Sequence, residues 1–200
     1  MRYDGDHKTA TRARVLKEAA REIRAKGPAG IAVAGVMARA GLTHGGFYAH
    51  FSSRDDMVAA AIGTMFEEAR GRFDRTLAER DPAAALVAYI DFYLSAAHRD
   101  AREHGCPLAA LSSDLPRMGN VSRERFGAGV AALTGRLADA IARHGAMDVA
   151  DATPVAQSML AQLVGGLSLA RSVADTVQSD AILAASRADL KHRLGLKTTP

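Results

Sequence analysis

The feature that most constrains this chain is a glycine turn between two short helical segments, Ala40-Gly41-Leu42-Thr43. Upstream, Val33, Val36 and Met37 share one face of a helix predicted over Ala32–Ala40. Downstream, Phe47 and Phe51 sit four apart and predict a second short helix over Thr43–His50, anchored on a common core. Glycine lets the chain turn sharply after the first helix, and Leu42 is placed to plug the angle between the two. Such a pair is the local signature of a helix-turn-helix, whose second helix lies in the DNA major groove with its N-terminal residues nearest the bases. Other αα-hairpins share the local pattern, so it decides only in company with the rest of the chain.

That rest reads as helix throughout. A first helix is predicted over Lys8–Lys26, where Val15, Ala19, Ala20 and Ile23 recur at helical spacing and Gly27-Pro28 stops the run. Ser53-x-x-Asp56 reads as a capping box opening a long helix to Ala78. Asp81-Pro82 opens the next, expected to run unbroken to His104-Gly105. A short helix over Pro107–Leu115 is closed by Pro116, and a long one spans Val121–His144. Thr153-Pro154 opens a helix to Ala174, Ser179-Asp180 opens the last to Leu194, and the tail from Lys197 to Pro200 reads as disordered. The expectation is an all-α protein of about nine helices: a three-helix head over residues 1–52 and a larger helical body over 53–200.

Charge separates these two parts. Residues 1–60 hold ten Lys/Arg and six Asp/Glu, whereas residues 61–200 hold sixteen of each, so the whole excess of +4 sits in the first third. A basic end on a neutral body suggests a polyanion partner, a solvated face being the alternative. The single cysteine, Cys106, permits no intrachain disulfide and suits a reducing compartment. No apolar run is long enough to span a bilayer and the N-terminal residues are polar, so a soluble cytoplasmic protein without membrane contact is expected.

The stretch Thr11-Arg12-Ala13-Arg14-Val15-Leu16, then Gly27, then Ala40 through Met57 (Ala-Gly-Leu-Thr-His-Gly-Gly-Phe-Tyr-Ala-His-Phe-Ser-Ser-Arg-Asp-Asp-Met) resembles the head of the tetracycline-repressor (TetR) family. The resemblance is close over about residues 8–60 and looser over the rest. It implies a homodimeric regulator, released from a palindromic double-stranded operator by a small molecule. It further implies that Tyr48 meets a DNA phosphate and that Arg54, at the start of the following helix, does the same; both are ordinary phosphate partners. Thr43 and His44 are the candidates for base-edge contact, and His50, like Tyr48, points away from the Phe47–Phe51 core. Surface exposure without contact is the alternative for Tyr48 and both histidines. Gly45 and Gly46 are poor helix formers, which close approach of the backbone to DNA would explain. One departure stands out. The family has a threonine or serine at the start of the second helix, but Gly30-Ile31-Ala32-Val33-Ala34-Gly35 has no hydroxyl, leaving more to Arg12, Arg14 and Arg39.

In the body, the resemblance implies an effector pocket. Phe66, Tyr89, Phe92, Tyr93, Cys106, Phe126 and Met159 are candidate walls for an apolar or aromatic ligand, plain core being the alternative. Leu160, Leu163, Val164 and Leu167 are candidate dimer contacts, with Gly165-Gly166 permitting close helix approach. Gly105-Cys106-Pro107 resembles a subgroup in which some members sense oxidants or electrophiles. Cys106 at a helix start, near His104, Arg102 and Arg99, would favour a thiolate, a small buried hydrophobe being the alternative. No catalytic residue, metal ligand or cofactor is expected: the sequence has no glycine-rich phosphate loop, metal-ligand spacing or nucleophile elbow. A helical adaptor that has lost DNA binding is the remaining alternative, supported only by the missing hydroxyl.

Overall fold

The computed structural model describes residues 2–196, with side chains from Asp6 onward. The expectation for the tail Lys197–Pro200 lies outside the described residues. Nine α-helices and three 3-10 segments make up the described chain, with no strand among them. The helices are α1 (Arg2–Lys26), α2 (Val33–Arg39), α3 (Arg54–Ala78), α4 (Pro82–Tyr93), α5 (Ala96–Asp100), α6 (Pro107–Leu111), α7 (Asn120–Gly145), α8 (Val149–Ser172) and α9 (Thr176–Arg193). The 3-10 segments are His44–Ala49, Arg102–His104 and Leu115–Arg117.

Several boundaries depart from the sequence reading: α1 begins at Arg2 instead of Lys8, and four others follow, most of them with a local cause. The single helix expected over 82–104 breaks after α4. Ser95 supplies the break: its Oγ donates to the Phe92 carbonyl (2.8 Å) and accepts from the His98 N–H (3.0 Å) as the N-cap of α5. The buried His98 imidazole stabilises the same corner, with Nδ1 2.8 Å from the Tyr93 carbonyl that the break frees. The last helix starts at Thr176, because Asp175 caps it by accepting from the Val177 N–H (2.9 Å). Ser179, expected to open that helix, instead donates to the Ala170 carbonyl (2.7 Å). Similarly, α8 begins at Val149 after Asp148, and Pro154 lies inside it. Pro116 falls within a 3-10 segment instead of closing α6, which already ends at Leu111.

The chain divides into two compact units, Met1–Glu67 with Cys106–Gly129, and Glu68–Gly105 with Val130–Pro200. In the first, α1 packs on α2 and α6. Its core joins Val15, Ala19 and Ile23 to Val36, Met37, Phe47, Phe51, Met57, Ile62 and Leu111, all buried. Gly129 is required here: a Cβ on it would overlap the Phe66 ring, which also packs edge-on against Phe126 (5.3 Å between centroids). In the second unit, α8 and α9 form the most extensive helix pair, and α4 packs on both. Its core includes Phe73, Leu86, Ile90, Tyr93, Leu133, Leu163, Leu167 and Leu190. Gly166 lets α8 approach α9 closely, since a Cβ there would lie 2.9 Å from Ser186 Oγ; neighbouring Gly165 faces open space.

Candidate nucleic-acid interface

The turn after α2 is held by its own backbone. Gly41 takes φ +71°, Leu42 N–H donates to the Met37 carbonyl (2.9 Å) and Gly41 N–H to Ala38 (3.0 Å). This is the hydrogen-bond pattern of a Schellman stop, and a left-handed backbone there favours glycine. The α2 N-cap is Ala32, which offers no side-chain acceptor, as the missing hydroxyl implies.

The segment expected as a short helix over 43–50 is a 3-10 turn, His44–Ala49. Two consecutive glycines and only six residues make an α-helix hard to close, and the tighter i to i+3 bonding suits such a short piece. Thr43 holds the N-cap position in extended backbone, but its hydroxyl makes no cap bond. Phe47 and Phe51 are buried and stack at 5.5 Å, while Phe47 also meets the Tyr48 ring edge-on at 5.2 Å. With two rings fixed inward, Tyr48 is turned out and is 73% exposed. Thr43, His44 and Gly45 are exposed beside it, and Gly46 and His50 are half-buried. Burial first, then the charges of Lys8 and Arg12, push the His50 imidazole below its ordinary pKa. Added Cβ atoms at Gly45 and Gly46 meet, respectively, nothing within 4 Å and only ordinary contacts with Met37 (3.8 Å) and Thr43 (3.9 Å). Neither glycine has the left-handed φ of Gly41.

The two arginines expected at DNA both have partners within the head. Arg54 Nε donates to the Ile31 carbonyl (3.3 Å) and its Nη2 to the carbonyls of Ala29 (3.4 Å) and Pro28, with Asp55 3.6 Å from Nη1. It therefore clamps the α1–α2 loop to the start of α3. Arg39 pairs with Glu22 and lies 3.6 Å from Glu18, which braces α2 against α1. Burial would raise the Glu22 pKa, but hydrogen bonds from Arg39 and Lys26 outweigh it and hold the carboxyl below its ordinary value. Sequence reasoning overlooked this brace, although Glu18, Glu22 and Lys26 at i, i+4 and i+8 are its visible trace. The expected cap of α3 forms: Ser53 Oγ accepts from Asp56 N–H (3.1 Å). The return bond reaches one residue further back, from Ser52 N–H (2.9 Å) and Ser52 Oγ (3.0 Å) to the Asp56 carboxylate.

Residues 15–61 match the family model for bacterial regulatory proteins of the tetR family. A TetR transcriptional regulator from Chloroflexus aurantiacus J-10-fl has a similar structure (TM-score 0.77), is 26% identical, and aligns over 96% of this chain and 98% of its own. The head thus carries the tetR-family domain, and the chain as a whole shares the fold of that family's regulators. The same fold is seen in Escherichia coli NemR in its reduced form (TM-score 0.78, 18% identity, 96% and 100% covered). It is seen too in a TetR-family regulator from Cytophaga hutchinsonii (TM-score 0.78, 20% identity, 97% and 98% covered). No curated protein matches the chain. The head is that of a DNA-binding regulator, and the family is not one of enzymes.

The effector candidates fall in both units. Phe66, Phe126 and Cys106 belong to the first unit; Tyr89, Phe92, Tyr93 and Met159 belong to the second. Tyr89 and Phe92 line a cavity of about 230 Å³ with Arg72, Thr76, Arg80 and Ala88, and the Arg72 guanidinium lies 4.9 Å from the Phe92 ring centre. Tyr93 and Met159 are core. A cavity of about 630 Å³ lies in the first unit between the α1–α2 loop, the start of α3 and residues 114–122. Cys106 is in no disulfide; its thiol is buried, 5% exposed, at the N-cap of α6. Of the four dimer candidates, Leu160, Leu163 and Leu167 are already buried within the single chain and Val164 is half-buried. No helix among the described residues is long and apolar enough to cross a membrane.

Proposed function

We propose that this TetR-family chain is a cytoplasmic transcription repressor that binds a palindromic double-stranded operator as a homodimer and is released by a small-molecule effector. The observation that carries the reading is the outward face of the recognition segment. Thr43, His44 and Tyr48 project from a rigidly anchored frame, beside two glycines that nothing inside the chain requires. Close approach of a DNA backbone supplies that missing requirement. Residues 1–52 read the DNA, and residues 53–200 sense and dimerise.

The dimer face fits the outer surface of α8 and α9. Leu169 (61% exposed) and Val177 (78% exposed) stand out among small exposed residues, Ala161 and Gly165 on α8 and Ala181, Ala184 and Ala188 on α9. Helical spacing puts each set on one stripe, where small side chains allow two helix pairs to meet closely. The effector, apolar or aromatic, enters the second unit beside Tyr89 and Phe92. Ligand and DNA then compete by favouring different populations of head spacing.

The test is binding of the purified protein to its own upstream DNA, followed by gel shift at two salt concentrations. Tyr48→Ala weakens binding to all sequences, whereas Thr43 and His44 variants change sequence preference. Unchanged affinity in Tyr48→Ala refutes the placement of the recognition segment.

A second reading makes Cys106 an oxidant or electrophile sensor. It draws support from the fold shared with reduced NemR and from the thiol's place at a helix start. Reaction with a maleimide no faster than that of free cysteine removes it.

A further inference from the structure

The charge excess of the head is not where its two arginines near the turn suggest. Among the Lys/Arg residues of the first 60, Arg21 and Lys26 pair with Glu18 (3.6 Å) and Glu22 (2.9 Å), and Arg24 is buried. Arg39 is held by the same two glutamates, and Arg54 donates to loop carbonyls. Lys8, Arg12, Arg14 and Lys17, all on the N-terminal half of α1, take no ion-pair partner among the described residues.

These four do not share a face. At about 100° per residue, Lys8 and Arg12 fall one above the other, whereas Arg14 and Lys17 point roughly the opposite way. The structure fixes which pair adjoins the recognition segment. The Arg12 guanidinium lies 4.9 Å from the centre of the Phe51 ring, the ring that stacks on Phe47. Lys8 and Arg12 are also the two charges felt by His50, at the end of the 3-10 segment. A polar stripe thus continues from exposed Tyr48 through His50 to the cations Arg12 and Lys8.

We infer that the N-terminal half of α1 is part of the DNA interface, with Lys8 and Arg12 taking backbone phosphates that flank the bases read by the 3-10 segment. This rests on the DNA-binding reading above and assigns its main phosphate contacts to α1 instead of to Arg39 and Arg54. Arg12 is pre-ordered by its ring contact, so less side-chain freedom is lost when it meets a phosphate. Lys8 is one turn further on, about 6 Å along the axis, placed for a neighbouring phosphate. Neither contact carries sequence information, so both act on any duplex.

The experiment measures fluorescence anisotropy of a labelled mixed-sequence duplex across a salt series, using the full chain. In Lys8→Ala/Arg12→Ala, the slope of log affinity against log salt falls by about 2 for each bound head, and binding weakens for every duplex. Lys8→Ala alone, at an exposed site that no packing depends on, loses about 1 and serves as the variant that leaves the fold intact. Arg14→Ala/Lys17→Ala removes the same formal charge from the other face and changes the slope by less than half as much. Equal effects of the two double variants, or an unchanged slope in the Lys8 variants, overturn the inference while wild-type binding preserves the DNA reading. Absence of wild-type binding to any duplex at low salt overturns both.

Discussion

His98 makes the second unit sensitive to acid in a way that can be calculated before it is measured. Its ring is buried between Phe92, stacked at 4.9 Å, and Tyr93, edge-on at 5.0 Å. Burial, partly offset by the hydrogen bond to the Tyr93 carbonyl and reinforced by the charges of Arg171 and Arg72, pushes its pKa from 6.5 to about 4. The unfolded chain therefore binds a proton between these values that the folded chain refuses, and stability falls as pH drops through that window. At about 1.4 kcal/mol for each pH unit crossed between the two values, the loss reaches about 2 kcal/mol at about pH 5 and about 3 kcal/mol at about pH 4, relative to about pH 8. Other carboxylates titrate at the low end, so the informative quantity is the difference between wild type and His98→Gln. Urea unfolding followed by circular dichroism, at fixed protein concentration, should show His98→Gln less stable at neutral pH but with a shallower decline on acidification. Parallel pH profiles for the two proteins would show that His98 is not held neutral and that the corner after α4 is built differently.

Gly45→Ala should raise thermal stability slightly, by up to about 1 kcal/mol, because nothing within the chain occupies the Cβ position. Yet it should weaken DNA binding. A gain in both refutes the role given to its bare backbone. Gly129→Ala should destabilise by about 1–3 kcal/mol, since the new methyl overlaps the Phe66 ring; an unchanged melting temperature would contradict that packing. Arg54→Ala should lower head stability by about 1–3 kcal/mol, because up to three loop carbonyls lose their donor. A variant with full stability but weak DNA affinity would return Arg54 to the role of a phosphate ligand.

Much of the fold is legible in the sequence because its punctuation is local. Gly41 stops α2 with its own backbone, Asp81 caps α4 by accepting from Ala84 N–H (2.9 Å), and Ser53 with Asp56 caps α3. Each device acts within five residues and is announced by its own residue types, which a linear reading can see. The break after Tyr93 is different. It needs a buried imidazole on the carbonyl and a serine bonded both ways, and the apolar spacing of residues 82–94 gives no hint of either. The start of α9 shows the same competition: both Asp175 and Ser179 are good N-caps by type, and only the bond from the Ser179 hydroxyl to the Ala170 carbonyl leaves Asp175 as the cap.

The anchoring of the segment His44–Ala49 was legible in the sequence, but the internal pairing of the head's arginines was not. Alternating inward Phe47 and Phe51 with outward Tyr48 follows from spacing alone, and the structure places all three accordingly. The arginines do not follow in this way, because a guanidinium within reach of DNA is also within reach of the head's own acceptors. Arg39 stands 17 residues from Glu22, and Arg54 stands 23 from Ile31, so neither pairing is visible as a helical repeat. Charges already bonded inside the head carry little further affinity for phosphate, since a phosphate must displace the partner they have. Net charge over residues 1–60 therefore predicts that the head attracts a polyanion, while the internal pairings decide which side chains remain to touch it. By that argument the salt dependence of binding should follow Lys8 and Arg12, and the stability of the head should follow Arg39 and Arg54.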